Sequence, residues 1–405
     1  MIKDILHSVF SRYVSTILNF LLVVATTRLF GAEGKGEISL FILNITLLTM
    51  LNNFVGGPSL VYLSPRRPLE KLLIPSYLWS FLSVAFGVAL ILLFDLSPVR
   101  YLPHLFFIGM LQAIVGTHFF VLMGRKEITR YNWLTLLQVA LNLIFLTAFF
   151  YLLQVKDITA YISALYLSSL VVLVASYLPL HGWFAGMTKG ALHSEVQPAF
   201  RELFKLGFII QVTNIIQLFN YRMVYYFLES WRPDGKKELG VYSTAIHLFD
   251  AMLIFSKSIS LVQYSAVSNE GDPKESRRMT GVLLKANGAL LAIMIIPILL
   301  IPANMYEWVF GYNQGFGAIR VSLLWLFPGM IGLGLHGTIS SYFSGLGAYR
   351  KNFFASGSGF LVLLVFSFLW IDELGIQGAA MAQSLAFIAC FLVSLFQFCF
   401  QREKL

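Results

Sequence analysis

Long apolar runs recur along the whole of this chain, and they decide its class before anything else is read. The first covers residues 5–30, more than the about 20 apolar residues needed to cross a bilayer. Eleven more follow, at 38–63, 72–94, 102–123, 132–153, 158–180, 204–228, 239–267, 280–301, 319–346, 352–370 and 375–400. A backbone inside hydrocarbon must satisfy its own hydrogen bonds, so only helices or a closed barrel can span. Barrel strands alternate apolar and polar residues, and these runs do not. Only 12% of the residues are charged, half of the about 25% usual for a soluble domain. The sequence therefore predicts an all-α polytopic membrane protein with about 12 transmembrane helices.

Orientation follows from the basic residues. With a cytoplasmic N-terminus, the inner segments hold 17 Lys and Arg and the outer segments 8, the bias expected of a chain with both termini inside. The formal charge of +9 is thereby explained without a nucleic-acid partner. The first run does not read as a cleaved signal, because it is long, carries Arg12 and has no small-residue cleavage site after it. Trp79, Trp133, Trp183, Trp231, Trp308 and Trp370 fall near span ends, as interfacial anchors do.

Weak internal repeats divide the chain. Gly34-Lys35-Gly36-Glu37 is echoed by Gly235-Lys236-Lys237-Glu238, and Leu18-Asn19-Phe20 by Phe219-Asn220-Tyr221. Further on, Gly124-Arg125-Lys126 recurs as Gly347-Ala348-Tyr349-Arg350-Lys351, and Ile158-Thr159-Ala160 as Ile376-Gln377-Gly378. The matches keep their order. They predict two pseudo-symmetric six-helix bundles, residues 1–180 and 204–405, around a central cavity, with a cytoplasmic linker at 181–203. An even helix number starts both halves on the same side, so the repeat is parallel.

Ionisable groups inside spans are the candidates for function. Arg12 shares one helix face with Ser8, Ser15 and Asn19. It either snorkels to the cytoplasmic interface or lines a water-filled path. The seventh span carries Gln211, Asn214, Gln217, Asn220, Tyr221 and Arg222. In the eighth, Asp250 and Lys257 lie two turns apart beside His247 and form either a self-neutralising ion pair or a proton-carrying group. Lys285 lies in the ninth. Gly337, Ser341 and Gly345, with Pro328 and Gly329, mark either close packing or a hinge in the tenth.

Enzymatic signatures are missing: there is no P-loop, no His-Glu-x-x-His and no Gly-x-Ser-x-Gly. His104, His118 and His336 stand singly and read as interhelical hydrogen-bonding groups. Cys390 and Cys399 supply neither a disulfide framework nor a thiolate metal site. No cofactor, metal or catalytic residue is expected.

The run Arg28-Leu29-Phe30-Gly31-Ala32-Glu33-Gly34-Lys35-Gly36-Glu37-Ile38-Ser39-Leu40 resembles the first outer loop and second-helix start of bacterial polysaccharide transporters. These belong to the multidrug/oligosaccharidyl-lipid/polysaccharide exporter superfamily. Their usual pattern is apolar-Gly-Pro-x-Gly-x-Gly; here Ala32 replaces the proline, and Lys35 stands where small or aromatic residues are common. The resemblance implies a Wzx-like flippase in the bacterial inner membrane. Such a protein carries undecaprenyl-diphosphate-linked oligosaccharide repeat units, as of O-antigen, to the outer leaflet by alternating access. It implies coupling to a proton or sodium gradient, and a polysaccharide polymerase and chain-length regulator as partners. By position, Arg12, Asn19, Asn220, Arg222, Lys257 and Lys285 are then expected to line the cavity and hold the diphosphate, with His247 and Asp250 coupling ion movement. The alternatives are a drug/cation antiporter or lipid II flippase of the same superfamily, or a membrane-embedded polysaccharide polymerase. The last typically carries a large outer loop with functional arginines, which this chain lacks.

Overall fold

The computed structural model describes the backbone of residues 2–184, 192–269 and 272–400, and side chains there except at 2–10, 12, 181–184, 192–196, 265, 269 and 273. In chain order the helices are α1 (Ile2–Gly56), α2 (Pro58–Leu63), α3 (Leu69–Leu93), α4 (Leu102–Gly124), α5 (Ile128–Tyr151), α6 (Ile158–Phe184) and α7 (Leu192–Trp231). They continue as α8 (Gly235–Met252), α9 (Ile254–Asn269), α10 (Pro273–Ile293), α11 (Ile295–Leu300), α12 (Ala303–Phe310), α13 (Ala318–Gly345), α14 (Tyr349–Leu374) and α15 (Ile376–Cys399).

Ten of the described helices are long and apolar enough to cross a membrane, or eleven with α8 and α9 taken as one span bent by 46°. The first of these is α1, broken within its length, so counting its two arms separately gives twelve crossings. The break is a single residue. Gly31 has φ 68° and ψ −171°, a conformation that glycine reaches without a Cβ clash. The sequence predicts a loop over 31–37, but 32–37 are already helical. Ala32, Glu33, Lys35 and Glu37 have no strong objection to helix, and no proline stands at position 32.

Two further spans differ from expectation. The run 239–267 breaks at Leu253, the residue that ends α8 at φ −72° and ψ −6°, and its N–H still reaches the Phe249 carbonyl at 3.1 Å. The run 280–301 breaks at Met294, between α10 and α11. Helix α7 begins inside the stretch read from sequence as the linker.

The chain forms two compact units: Met1–Phe30 with Glu37–Ile215, and Gly31–Gly36 with Ile216–Leu405. Within the first, α4 packs on α2, α3 and α6, and α5 packs on α6. Within the second, α13 packs on α9, α10 and α15, and α14 packs on α15. The plan is the same. A buried hydrogen bond repeats with it: His118 Nδ1 lies 2.8 Å from Ser176 Oγ, and His336 Nδ1 lies 2.8 Å from Ser394 Oγ. The 218-residue shift that carries His118 to His336 also carries Ser176 to Ser394 and Ile158 to Ile376. His104 likewise bonds between helices, its Nδ1 3.2 Å from the Tyr166 hydroxyl.

Small residues set the helix spacing. A Cβ on Gly329 would lie 2.5 Å from the Ser384 Cα, and the Gly329 N–H donates to Ser384 Oγ at 2.7 Å. The glycines around Pro328 thus serve close approach of α13 to α15. In the second unit, Gly36 and Gly240 form a reciprocal contact. A Cβ on Gly36 would meet the Lys236 carbonyl oxygen at 1.9 Å, and one on Gly240 the Ala32 carbonyl oxygen at 1.8 Å. Gly240→Ala should therefore destabilise the protein by about 1–3 kcal/mol, the usual range for overpacking. Gly357→Ala, at a helical glycine with nothing within 4 Å, should leave the melting temperature unchanged or raise it. Thermal unfolding of both variants in detergent checks the pair.

Candidate functional site

The ionisable residues that the sequence spreads over two spans meet in the second unit, on three helices. Arg222 lies late in α7, Asp250 near the end of α8 and Lys257 in the first turn of α9. The break at Leu253 separates the last two. Asp250 spends one carboxylate oxygen on each cation: Arg222 Nη2 is 2.9 Å from Oδ2, and Lys257 Nζ is 3.2 Å from Oδ1. The side chains of Arg222 and Asp250 are 20% and 27% exposed, that of Lys257 58%, so the cluster runs from a sheltered end to an open one.

Aromatic groups hold the sheltered end. Arg222 donates from Nη1 to the Tyr225 hydroxyl and sits 5.2 Å from the centroid of the same ring. Tyr225 meets Tyr242 edge-on at 6.1 Å, and both are buried. This fixes the guanidinium from two sides, which suits its planar fork. His247, one turn before Asp250, has Nδ1 2.6 Å from the Ser243 carbonyl oxygen. That nitrogen carries a proton and donates, leaving Nε2 as the second titrating atom. His247 lies within electrostatic reach of Arg222, Asp250 and Lys35. Lys35 is only 2% exposed and within reach of Arg222 as well.

The charge balance is uneven. Arg222 and Lys257 bring two positive charges against the single carboxylate of Asp250. Two unit charges 4 Å apart interact by about 4 kcal/mol at an effective dielectric near 20, so one acid shared by two cations leaves the group net positive.

Other expected residues fall elsewhere. Asn220 does not line an opening: it is 2% exposed, donates from Nδ2 to Cys390 Sγ at 3.1 Å and accepts at its carbonyl from Gln383 Nε2 at 2.6 Å. It stands two residues from Arg222, hence about 200° around the helix, and faces α15. Asn19 belongs to the first unit, is exposed, and donates to the Ser15 carbonyl at 2.8 Å. Lys285 is exposed on α10 and makes no hydrogen bond or ion pair among the described residues. Arg12 lies on α1, and its side chain falls outside the described residues. Sequence reasoning missed Lys35 by assigning it to a loop. The signal was present in the glycine repeat, because Gly36 and Gly240 bring that segment against α8.

No family model and no curated protein matches the sequence. Solved structures do match in fold. The lipid II flippase MurJ in an inward closed conformation overlays with a TM-score of 0.74 at 17% identity, over 97% of this chain and 87% of that one. An inward-facing multidrug resistance MATE family transporter of the MOP superfamily gives 0.68 at 14% identity, over 95% and 94%. A MOP-superfamily transporter from Pyrococcus furiosus, whose binding pocket is described as having reverse polarity, gives 0.65 at 14% identity, over 98% and 94%. The protein thus has the all-α, two-bundle polytopic fold of the multidrug/oligosaccharidyl-lipid/polysaccharide exporter superfamily.

Proposed function

We propose that the protein is an inner-membrane flippase for polyprenyl-diphosphate-linked oligosaccharides, working by alternating access. The two cations Arg222 and Lys257, which share the one carboxylate of Asp250, carry this reading. A diphosphate is the anionic part of such a lipid, and charge-assisted hydrogen bonds from Arg and Lys are the strong ones. The polyprenyl tail can remain in lipid while the head is transferred. In this scheme the diphosphate takes over the contacts that Asp250 makes with Arg222 and Lys257. Asp250 and His247 are then the groups placed to exchange a coupling proton, and both termini face the cytoplasm. The fold likeness to a lipid II flippase supports the lipid-linked class, with lipid II itself one member of it.

The likeness to MATE transporters supports a second reading, a drug/cation antiporter. The same cluster argues against it, because a cationic drug wants a carboxylate not already shared by two cations.

Flipping of a fluorescent polyprenyl-diphosphate disaccharide in proteoliposomes tests the proposal. Each of Arg222→Gln and Lys257→Gln should slow it by about 10-fold or more, the loss of one hydrogen bond to a charged group. Asp250→Asn removes the competing anion, so head-group binding should hold or tighten while the pH dependence of transport is lost. Unchanged flipping in both cation variants would remove the cluster from the transport path. Proton-driven ethidium efflux by the reconstituted protein, without flipping, would establish the antiporter reading instead.

A further inference from the structure

A groove of about 620 Å³ opens along the first part of α7, lined by Phe200, Arg201, Phe204, Lys205, Phe208 and Ile209 among others. These residues recur at three- and four-residue steps and so form two neighbouring rows on one helix face. The aromatic row is built. Phe200 and Phe204 stack at 6.0 Å, and Phe204 and Phe208 lie 5.5 Å apart. Behind them, Phe54 is 5.8 Å from Phe204 and 5.6 Å from Phe208, and Trp79 is 5.6 Å from Phe200. Gly207 lets the helix close on this wall, since a Cβ there would lie 2.3 Å from the Phe54 carbonyl oxygen.

The second row is cationic. Arg201 and Lys205 are exposed and make no ion pair or hydrogen bond among the described residues. The acid between them, Glu202, is taken by Arg67 at 3.3 Å. Phe208 and Ile209 beyond them are 45% and 58% exposed. The groove thus offers two unneutralised charges at one end and bare apolar surface at the other.

Its place along the helix fits that polarity. The apolar stretch Gln197–Trp231 has 35 residues. At about 1.5 Å per residue it is longer than a hydrocarbon core of about 30 Å, so its first turns reach the head-group boundary. Basic residues at such a boundary attract anionic lipid head groups.

We propose that this groove is a binding site for an anionic glycerophospholipid of the surrounding bilayer. Arg201 and Lys205 hold the phosphate, and Phe204 and Phe208 cover the start of an acyl chain. The site lies in the first unit and does not rest on the substrate reading above.

The test is displacement of a pyrene-labelled phosphatidylglycerol from the full-length protein in neutral detergent. Phosphatidylglycerol should compete and phosphatidylcholine should not. Arg201→Ala with Lys205→Ala should weaken phosphatidylglycerol about 30-fold, at about 1 kcal/mol for each basic residue. The charge-conserving pair Arg201→Lys with Lys205→Arg should retain binding, which separates a lost site from a misfolded protein. Lys126→Ala with Arg130→Ala, a basic pair of the same spacing in the turn before α5 and in its first turn, should change nothing. Equal affinity in the wild type and the alanine pair would overturn the proposal, as would equal competition by phosphatidylcholine. Displacement by a polyprenyl diphosphate at concentrations where phosphatidylglycerol has no effect would also overturn it, assigning the groove to a substrate lipid.

Discussion

Asp250 is claimed by two cations at once, and the character of the second unit turns on that shared carboxylate. Charges in a membrane protein persist where they are paired, hydrated or held for a ligand. Here the pairing is incomplete: Arg222 and Lys257 divide one acid. The break at Leu253 matters to this geometry because Asp250 and Lys257 face each other across it. A change in the bend would change the distance between the two charged groups.

The scaffold around the cluster is repeated, while the cluster is not. Both units use the same helix-on-helix plan and the same His–Ser hydrogen bond. Internal polar groups in the first unit are largely neutral and satisfied locally. Asn52 donates to the Ala113 carbonyl at 3.2 Å and accepts from Ser80 at 2.8 Å, and His118 lies between Tyr77 and Ser176. Duplicated packing therefore supplies the frame, and the proposed chemistry rests on a few unduplicated charges, in keeping with function as something grafted onto a fold.

Much of the frame was legible in the sequence because bilayer length and backbone satisfaction leave little choice. Apolar runs located the spans, and short ordered repeats pointed to two halves. What escaped was local. Nothing in the composition around Leu253 signals a break, whereas the one at Met294 falls where the Pro297 ring meets the Ile293 carbonyl four residues back. Residues 32–37 looked like a loop for their glycines, yet only Gly31 needed to leave the helix. Among the candidate residues, the structure brings Arg222, Asp250, Lys257 and His247 together, and each stood out in the sequence as an ionisable group in an apolar run. Asn220 is buried against α15 instead, because nearness in sequence is not nearness on a helix face. Lys35 was hidden by the loop assignment, and Tyr225 by the abundance of aromatic residues.

The most direct test of the account is the phosphorus resonance of a short-chain polyprenyl-diphosphate sugar titrated with the purified protein. The account predicts saturable broadening and shift of the diphosphate signal, lost with Lys257→Gln, and no competition from the lipophilic cation tetraphenylphosphonium. An unperturbed diphosphate signal, together with saturable tetraphenylphosphonium binding that disappears in Asp250→Asn, would contradict it.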